Sequence, residues 1–273
     1  MRKITAALVA AIALAACDPE GPPPEYVPPA PIKKTVQTIN YTVVKKHPHD
    51  VGAFTEGLFF YKGKLFESTG APDHIPSTRS TFGIVDTATG EIQVKAELDR
   101  NVYFGEGIAA INDKIYWVTW QNQRGFIYDA NTFQKTGQFN YNNKEGWGLT
   151  VYNNMIVMSD GTYNLTFFDP ADMSVVKTLA VTKDGYGLDH LNELEFINGH
   201  IYANVWMSNI IVKIDPESGR VVGQLDLSAL YNEAKTINPR LGEMNGIAYD
   251  PDNNRVLVTG KFWPDMYEIR FAW

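Results

Sequence analysis

Cysteine is almost missing. Cys17 is the only one in 273 residues, so no intrachain disulfide can form. Basic residues are outnumbered, 24 against 31 acidic ones, for a net charge of −7. Outside the short start "MRK" no basic run occurs. Phosphate binding needs basic patches, so no nucleic-acid partner is expected. The five histidines (His47, His49, His74, His190 and His200) are scattered without metal-ligand spacing. No metal site is expected from them, and most are assigned to the surface or to turns. Helical periodicity is scarce as well, and "LSALYNEAKTIN" (227–238) is the best helix candidate. Long apolar runs are also lacking. The stretch at about residues 4–16 falls short of the roughly 20 residues a spanning helix needs.

That short stretch belongs to "MRKITAALVAAIALAAC", a basic start, an apolar segment and a small-residue end. It resembles a bacterial lipoprotein signal, in which the cysteine, here Cys17, is lipidated and becomes the mature N-terminus. The competing reading is a plain secretory peptide with an incidental cysteine. Asp18, next in line, resembles an inner-membrane retention signal. The expected location is the cell envelope, lipid-anchored and facing the periplasm. Seven prolines follow between residues 19 and 31. Proline at this density gives a stiff, extended spacer with no core. The expected organisation is a signal over 1–17, a linker over 18–35 and one folded domain over 36–273.

The domain reads as all-β. Short runs rich in aromatic and β-branched residues alternate with turn signals about every ten residues. Five stretches align: "EGLFFYKGKLFESTG" from 56, "EGIAAINDKIYWVTW" from 106, "WGLTVYNNMIVMSDG" from 147, "NELEFINGHIYANVW" from 192 and "NGIAYDPDNNRVLVTGK" from 245. Each holds a strand, a tight turn and a second strand. Most continue into a third strand ending in an Asp turn ("GIVDTATG", "FIYDANT", "LTFFDPAD", "IVKIDPESG") and then a fourth. Four strands per unit, repeated every 41 to 53 residues, predict a five-bladed β-propeller. The fifth unit stops short at "MYEIRFAW", while "VQTINYTVVKK" (36–46) is an orphan strand. Pairing the orphan into the last blade closes the ring and removes an exposed edge.

In a propeller, equivalent positions at the start of each inner strand converge on one mouth. The first aligned column holds Glu56, Glu106, Trp147, Asn192 and Asn245. The column after the second strand holds Gly70, Trp120, Gly161, Trp206 and Lys261. Turn chemistry explains the glycines and Asn245. It does not explain Glu106 between two glycines in "FGEGI", nor three of the six tryptophans. Together they predict a pocket with aromatic walls, carboxylates, amides and one lysine.

Through every blade, "AFTEGL", "LFESTG", "FGEGI", "VTW", "EGWGLT", "MSDGT", "LNELE", "ANVW" and "NGIAYD…VTGKFWP" resemble the plant- and bacterial-type glutaminyl-peptide cyclotransferases. The resemblance runs from about His49 to the C-terminus. It implies a five-bladed propeller that converts N-terminal glutamine into pyroglutamate and releases ammonia, without metal or cofactor. By motif it makes Glu106 the acid/base and gives Asn192 and Lys261 contacts to the substrate amide. Trp120, Trp147 and Trp206 shape the pocket, and Phe54 and Glu56 line its other side. Plant members tend to have glutamine where this chain has Glu56.

The chemistry agrees with those residue types. The α-amine must lose a proton to attack the γ-amide carbon, and the leaving nitrogen must gain one. One carboxylate reaching both nitrogens shuttles it, and an apolar pocket would raise the pKa of Glu106 for that task. Lys261 or Asn192 supplies the oxyanion donor. Glu56 either forms a like-charge pair with Glu106 or holds the α-ammonium. Glu193 and Glu195 share one strand face, with Leu194 on the other, and one of the two reads as a structural bond to a neighbouring blade. Asp160 reads as a turn former. The partners expected are peptides with N-terminal glutamine and, through Cys17, a membrane; a monomer is expected. Two rival readings share these residues: a non-catalytic peptide-binding propeller, and a lactonase-type propeller holding calcium with Glu106, Asn192 and Asn245.

Overall fold

A computed structural model describes residues 36–273. The signal-like segment, Cys17 and the linker lie outside the described residues. Blade 1 comprises Thr55–Tyr61, Lys64–Thr69, Thr81–Val85 and Ile92–Glu97. Blade 2 comprises Gly105–Ile111, Lys114–Thr119, Arg124–Asp129 and Lys135–Asn140. Blade 3 comprises Leu149–Tyr152, Met155–Ser159, Asn164–Phe168 and Val175–Ala180. Blade 4 comprises Leu191–Ile197, His200–Val205, Ile210–Ile214 and Val221–Asp226. In blade 5, Met244–Asp250, Arg255–Gly260 and Asp265–Phe271 are completed on the outside by Tyr41–Pro48. The first strand of each blade packs against the first strand of the next, around the full ring. The expected five-bladed propeller is the observed fold.

Local chemistry explains the blades. In blades 1 to 4 the first two strands meet at a two-residue turn with both φ angles positive: Lys62 and Gly63, Asn112 and Asp113, Asn153 and Asn154, Asn198 and Gly199. That is the turn type whose twist matches a hairpin, and Asn, Asp and Gly tolerate it best. The turns between third and fourth strands are held by aspartates. Asp86, Asp129, Asp169 and Asp215 each accept a hydrogen bond from the backbone N–H two residues on. Asp160 does the same for Thr162, as a turn former should. The core lies between blade faces. Trp117 of blade 2 packs edge-on against Phe82 of blade 1, ring centres 5.3 Å apart. Both are sealed from water.

Ring closure differs from expectation in one detail. Tyr41–Pro48 pairs antiparallel with Asp265–Phe271, as the orphan-strand argument requires. Gln37–Thr38, however, runs parallel to the outer strand of blade 4, opposite Gly223 and Gln224. The N-terminal segment therefore clasps two blades. The helix is Ser228–Ile237, between blades 4 and 5, with Leu230 and Ala234 buried.

His74 and His190 are exposed and His200 is half-buried, as expected of most of the histidines; two are exceptions. His47 and His49 are buried. His49 Nε2 lies 3.0 Å from Glu67 Oε1, its Nδ1 lies 2.8 Å from the Trp263 carbonyl, and Thr55 Oγ1 donates to the same Glu67 oxygen. Burial opposes the imidazolium, yet the Glu67 charge and hydrogen bond outweigh it and raise the His49 pKa. The pair joins the closing strand to blade 1.

Candidate active site

The inner strands do not run as uninterrupted ladders. In blade 1 the register slips between Thr55 and Gly57, in blade 2 between Gly105 and Ile108, in blade 4 between Leu191 and Leu194, and in blade 5 between Met244 and Ile247. The residues inside those slips are Glu56, Glu106, Asn192 and Asn245, with Gly107, Glu193 and Gly246 beside three of them. A bulge releases a residue from the ladder and re-aims its side chain. This is why charged and amide residues stand where a strand would want apolar ones. Gly107 is required by close approach: a Cβ there would lie 2.3 Å from the Trp147 carbonyl oxygen.

Polar residues on the second strands latch these bulges. Ser68 Oγ donates to the Glu106 carbonyl at 2.7 Å, and Trp117 Nε1 donates to the same oxygen at 3.1 Å. Ser159 Oγ donates to the Asn192 carbonyl at 2.7 Å. Asn204 Oδ1 accepts from Gly246 N at 3.1 Å. The Ser68, Ser159 and Asn204 latches cross from one blade to the next, while the Trp117 latch stays within blade 2. Their sequence signal was a third column, two residues before the Trp/Lys column: Ser68, Val118, Ser159, Asn204 and Thr259.

All eight sequence-predicted pocket residues line one cavity of about 670 Å³: Phe54, Glu56, Glu106, Trp120, Trp147, Asn192, Trp206 and Lys261. Asn245 instead stands behind it, donating to Glu56 Oε2 at 2.9 Å. On the other side of Glu56, Lys261 Nζ approaches Oε1 at 3.0 Å and sits 4.2 Å from the centre of the Phe54 ring. Asn192 is buried, and its Oδ1 has no partner among the described residues. A buried amide oxygen without a donor is costly, and a bound N–H would satisfy it.

The walls form an aromatic arc. Phe54 meets Phe104 at 6.0 Å, Phe104 meets Trp120 at 5.8 Å, and Trp147 meets Trp206 at 5.6 Å, all edge-on. Phe104, Arg100 and His74 extend the cavity outward and were not anticipated. Phe104 precedes Glu106 by two residues, as Phe54 precedes Glu56, so the repeat that goes with Phe54 was the signal for it. Across from its neighbours, Gly70 would put a Cβ 2.3 Å from the Phe104 ring, so a glycine there keeps the aromatic seated.

Electrostatics concentrates on three groups. Burial, the Glu56 carboxylate and the more distant Glu145 all push the Glu106 pKa well above the ordinary carboxylate value, while Lys261 pulls it down. Burial also raises Glu56, to about 7, against the pull of Lys261. Burial works against the charge of Lys261, but Glu56, Glu106 and Glu243 together raise its pKa. The two carboxyls beside one ammonium therefore titrate as a pair rather than as independent groups. Among the described residues no three His, Cys, Asp or Glu side chains gather into a metal-binding group.

Glu193 and Glu195 lie deeper, and both bond to neighbouring blades rather than one of them. Glu193 accepts from Leu58 N at 3.2 Å and Ile247 N at 2.9 Å, tying blade 4 to blades 1 and 5. Glu195 accepts from Tyr249 N at 2.8 Å. Burial raises Glu193 well above the usual range and Glu195 to about 8.

A closed propeller whose mouth gathers a carboxyl pair, a buried lysine, an unpartnered amide oxygen and tryptophan walls offers proton transfer and amide binding in one cavity. The model of the glutamine cyclotransferase family matches residues 8–271, and the chain belongs to that family. A protein of Arabidopsis thaliana named glutaminyl-peptide cyclotransferase is 39% identical over 231 residues, 84% of this chain and 70% of that protein. The crystal structure of Myxococcus xanthus glutaminyl cyclase matches with a TM-score of 0.79 at 33% identity, covering 87% of this chain and 98% of that one.

Proposed function

We propose that this protein is a glutaminyl-peptide cyclotransferase that closes N-terminal glutamine into pyroglutamate. The convergence of Glu106, Glu56, Lys261 and Asn192 on one tryptophan-walled cavity carries the reading. Peptide glutamine folds back inside the aromatic arc, which populates the attack geometry and excludes water. As the α-amine nitrogen bonds to the γ-amide carbon, Glu106 takes a proton from it. The same carboxyl returns that proton to the amide nitrogen as the old C–N bond breaks, and ammonia leaves. Lys261 donates to the oxygen that becomes negative, a preorganised charge in a site with little water. The unpartnered Oδ1 of Asn192 accepts from a substrate N–H. The transfer is of aminoacyl type and uses no metal. Only the N-terminal glutamine need be buried in a cavity of this size, so tolerance of the residues that follow is expected when the second residue of the peptide is varied.

The test is incubation of purified protein with a Gln-initiated peptide, with and without EDTA. Loss of the mass of one ammonia in both arms supports the reading, and no mass change at any pH sinks it. A loss only without EDTA would favour the calcium-holding alternative.

The signal-like segment and Cys17 support a second part of the proposal: a lipid-anchored enzyme on the periplasmic side of the envelope, set off by the Pro-rich spacer. Asp18 favours the inner membrane. Cys17→Ser should move the activity from the membrane fraction to the soluble one. Activity that stays with the membrane would refute the anchor.

A further inference from the structure

Glu145 takes no part in the reaction as written, yet it occupies a singular place. It stands two residues before Trp147, where the chain enters blade 3. The segment is pinned just after it. Gly146 N donates to the Trp120 carbonyl at 2.9 Å, and a Cβ at Gly146 would lie 2.6 Å from Tyr141 Oη. From there Glu145 Oε2 accepts from Trp120 Nε1 at 2.8 Å and from Trp147 Nε1 at 2.9 Å. Its Oε1 accepts from Gln121 Nε2 at 3.0 Å. An indole has one donor and no acceptor, so both tryptophans spend their whole polar capacity on one oxygen.

The two indoles come from different blades. Trp120 follows the second strand of blade 2, and Trp147 opens blade 3. Trp120 is exposed and Trp147 half-buried, and each rests edge-on against a single aromatic ring, Phe104 and Trp206 respectively. Charge-assisted hydrogen bonds are the stronger, more directional kind, and two of them converge here. Partial burial works against the Glu145 anion, but the bonds from Gln121, Trp147 and Trp120 hold its pKa below the usual carboxylate value. The anion also adds to the charge that Glu106 feels.

We propose that Glu145 is a positioning residue that sets the angle of the Trp120 and Trp147 walls, and through them the folded-back glutamine side chain. The proposal rests on the cyclotransferase reading. It assigns Glu145 to substrate orientation, away from the reacting atoms. Loss of the clamp should therefore be felt mainly in binding.

The test uses the full chain with Glu145→Gln, and Glu145→Asp as a milder second variant. In E145Q the KM for a Gln-initiated peptide should rise about tenfold, the scale expected for hydrogen bonds to a lost charge, with kcat within about threefold. E145D should recover part of that loss. The acid limb of kcat/KM should move to lower pH, because Glu106 loses a nearby anion. Independently of turnover, the indole N–H resonances of Trp120 and Trp147 should shift while those of Trp117 and Trp263 stay. Unmoved Trp120 and Trp147 resonances would overturn the proposal, as would a fall in kcat at constant KM. A wild-type protein without turnover would sink the cyclotransferase reading instead, and the indole resonances would still decide the clamp.

Discussion

Replacing Glu56 by glutamine should free Glu106 to ionise. Glu56 sits between Lys261 at 3.0 Å and Asn245 at 2.9 Å, and its charge acts on Glu106. All three charged groups are buried. Like charges buried in one site repel by on the order of a few kcal/mol at the effective screening typical of proteins, and the Glu56 charge accordingly raises the Glu106 pKa. Glutamine keeps the shape and the Asn245 contact but removes that repulsion. Lys261 then has Glu106 as its counter-ion, and the site remains near neutrality. Glu106 stays desolvated in both proteins, so its pKa should fall but remain above the ordinary carboxylate value. The base form of Glu106 is the active one, so the acid limb of kcat/KM should move to lower pH, by about one pH unit for each roughly 1.4 kcal/mol of repulsion removed. The assay is ammonia release from a Gln-initiated peptide between pH 5 and 9, each protein scaled to its own plateau. The substrate amine titrates identically in both, so the difference belongs to the enzyme. An unmoved limb, or one displaced to higher pH, would refute the coupled titration of the pair.

Glu106→Gln should lower kcat by about 10²-fold or more, as for a lost acid/base, with an unchanged melting curve; near-wild-type turnover would end the shuttle assignment. Stability should fall as pH rises. Glu195 is raised from the ordinary carboxylate range to about 8 in the fold. Its contribution is complete below about pH 4.3 and is lost as pH climbs through 8. Thermal melts from pH 5 to 8 should therefore decline, and Glu195→Gln should decline less; parallel curves would contradict this. Deleting residues 36–48 strips blade 5 of its outer strand and should abolish cooperative unfolding. A truncated protein that melts like the full chain would disprove the clasp.

Much of the site was legible because the fold repeats. A column in an aligned repeat maps to a ring around an axis, and that alone grouped Glu56, Glu106, Trp147 and Asn192 before any coordinate. The same logic over-reached with Asn245. It shares the column but turns behind Glu56 as a donor to it. His47 and His49 are the exceptions among the histidines for a related reason. Histidine's usual place in a sequence carries no trace of a carboxylate eighteen positions away, and Glu67 is what allows His49 to be buried.

The sequence by itself determined the four-stranded unit, the hairpin turns, the five-fold repeat and most of the residues that face the mouth. Each of these is encoded locally, in turn chemistry and alternation, or by repetition. The tertiary structure decided what those residues do to one another. Whether Glu56 is held by Lys261 and Asn245, which carboxyl keeps the proton, and which oxygen gathers the two indoles are all set by contacts between different blades. Such contacts fix pKa values and side-chain angles through distance and burial. Both arise only once the ring has closed.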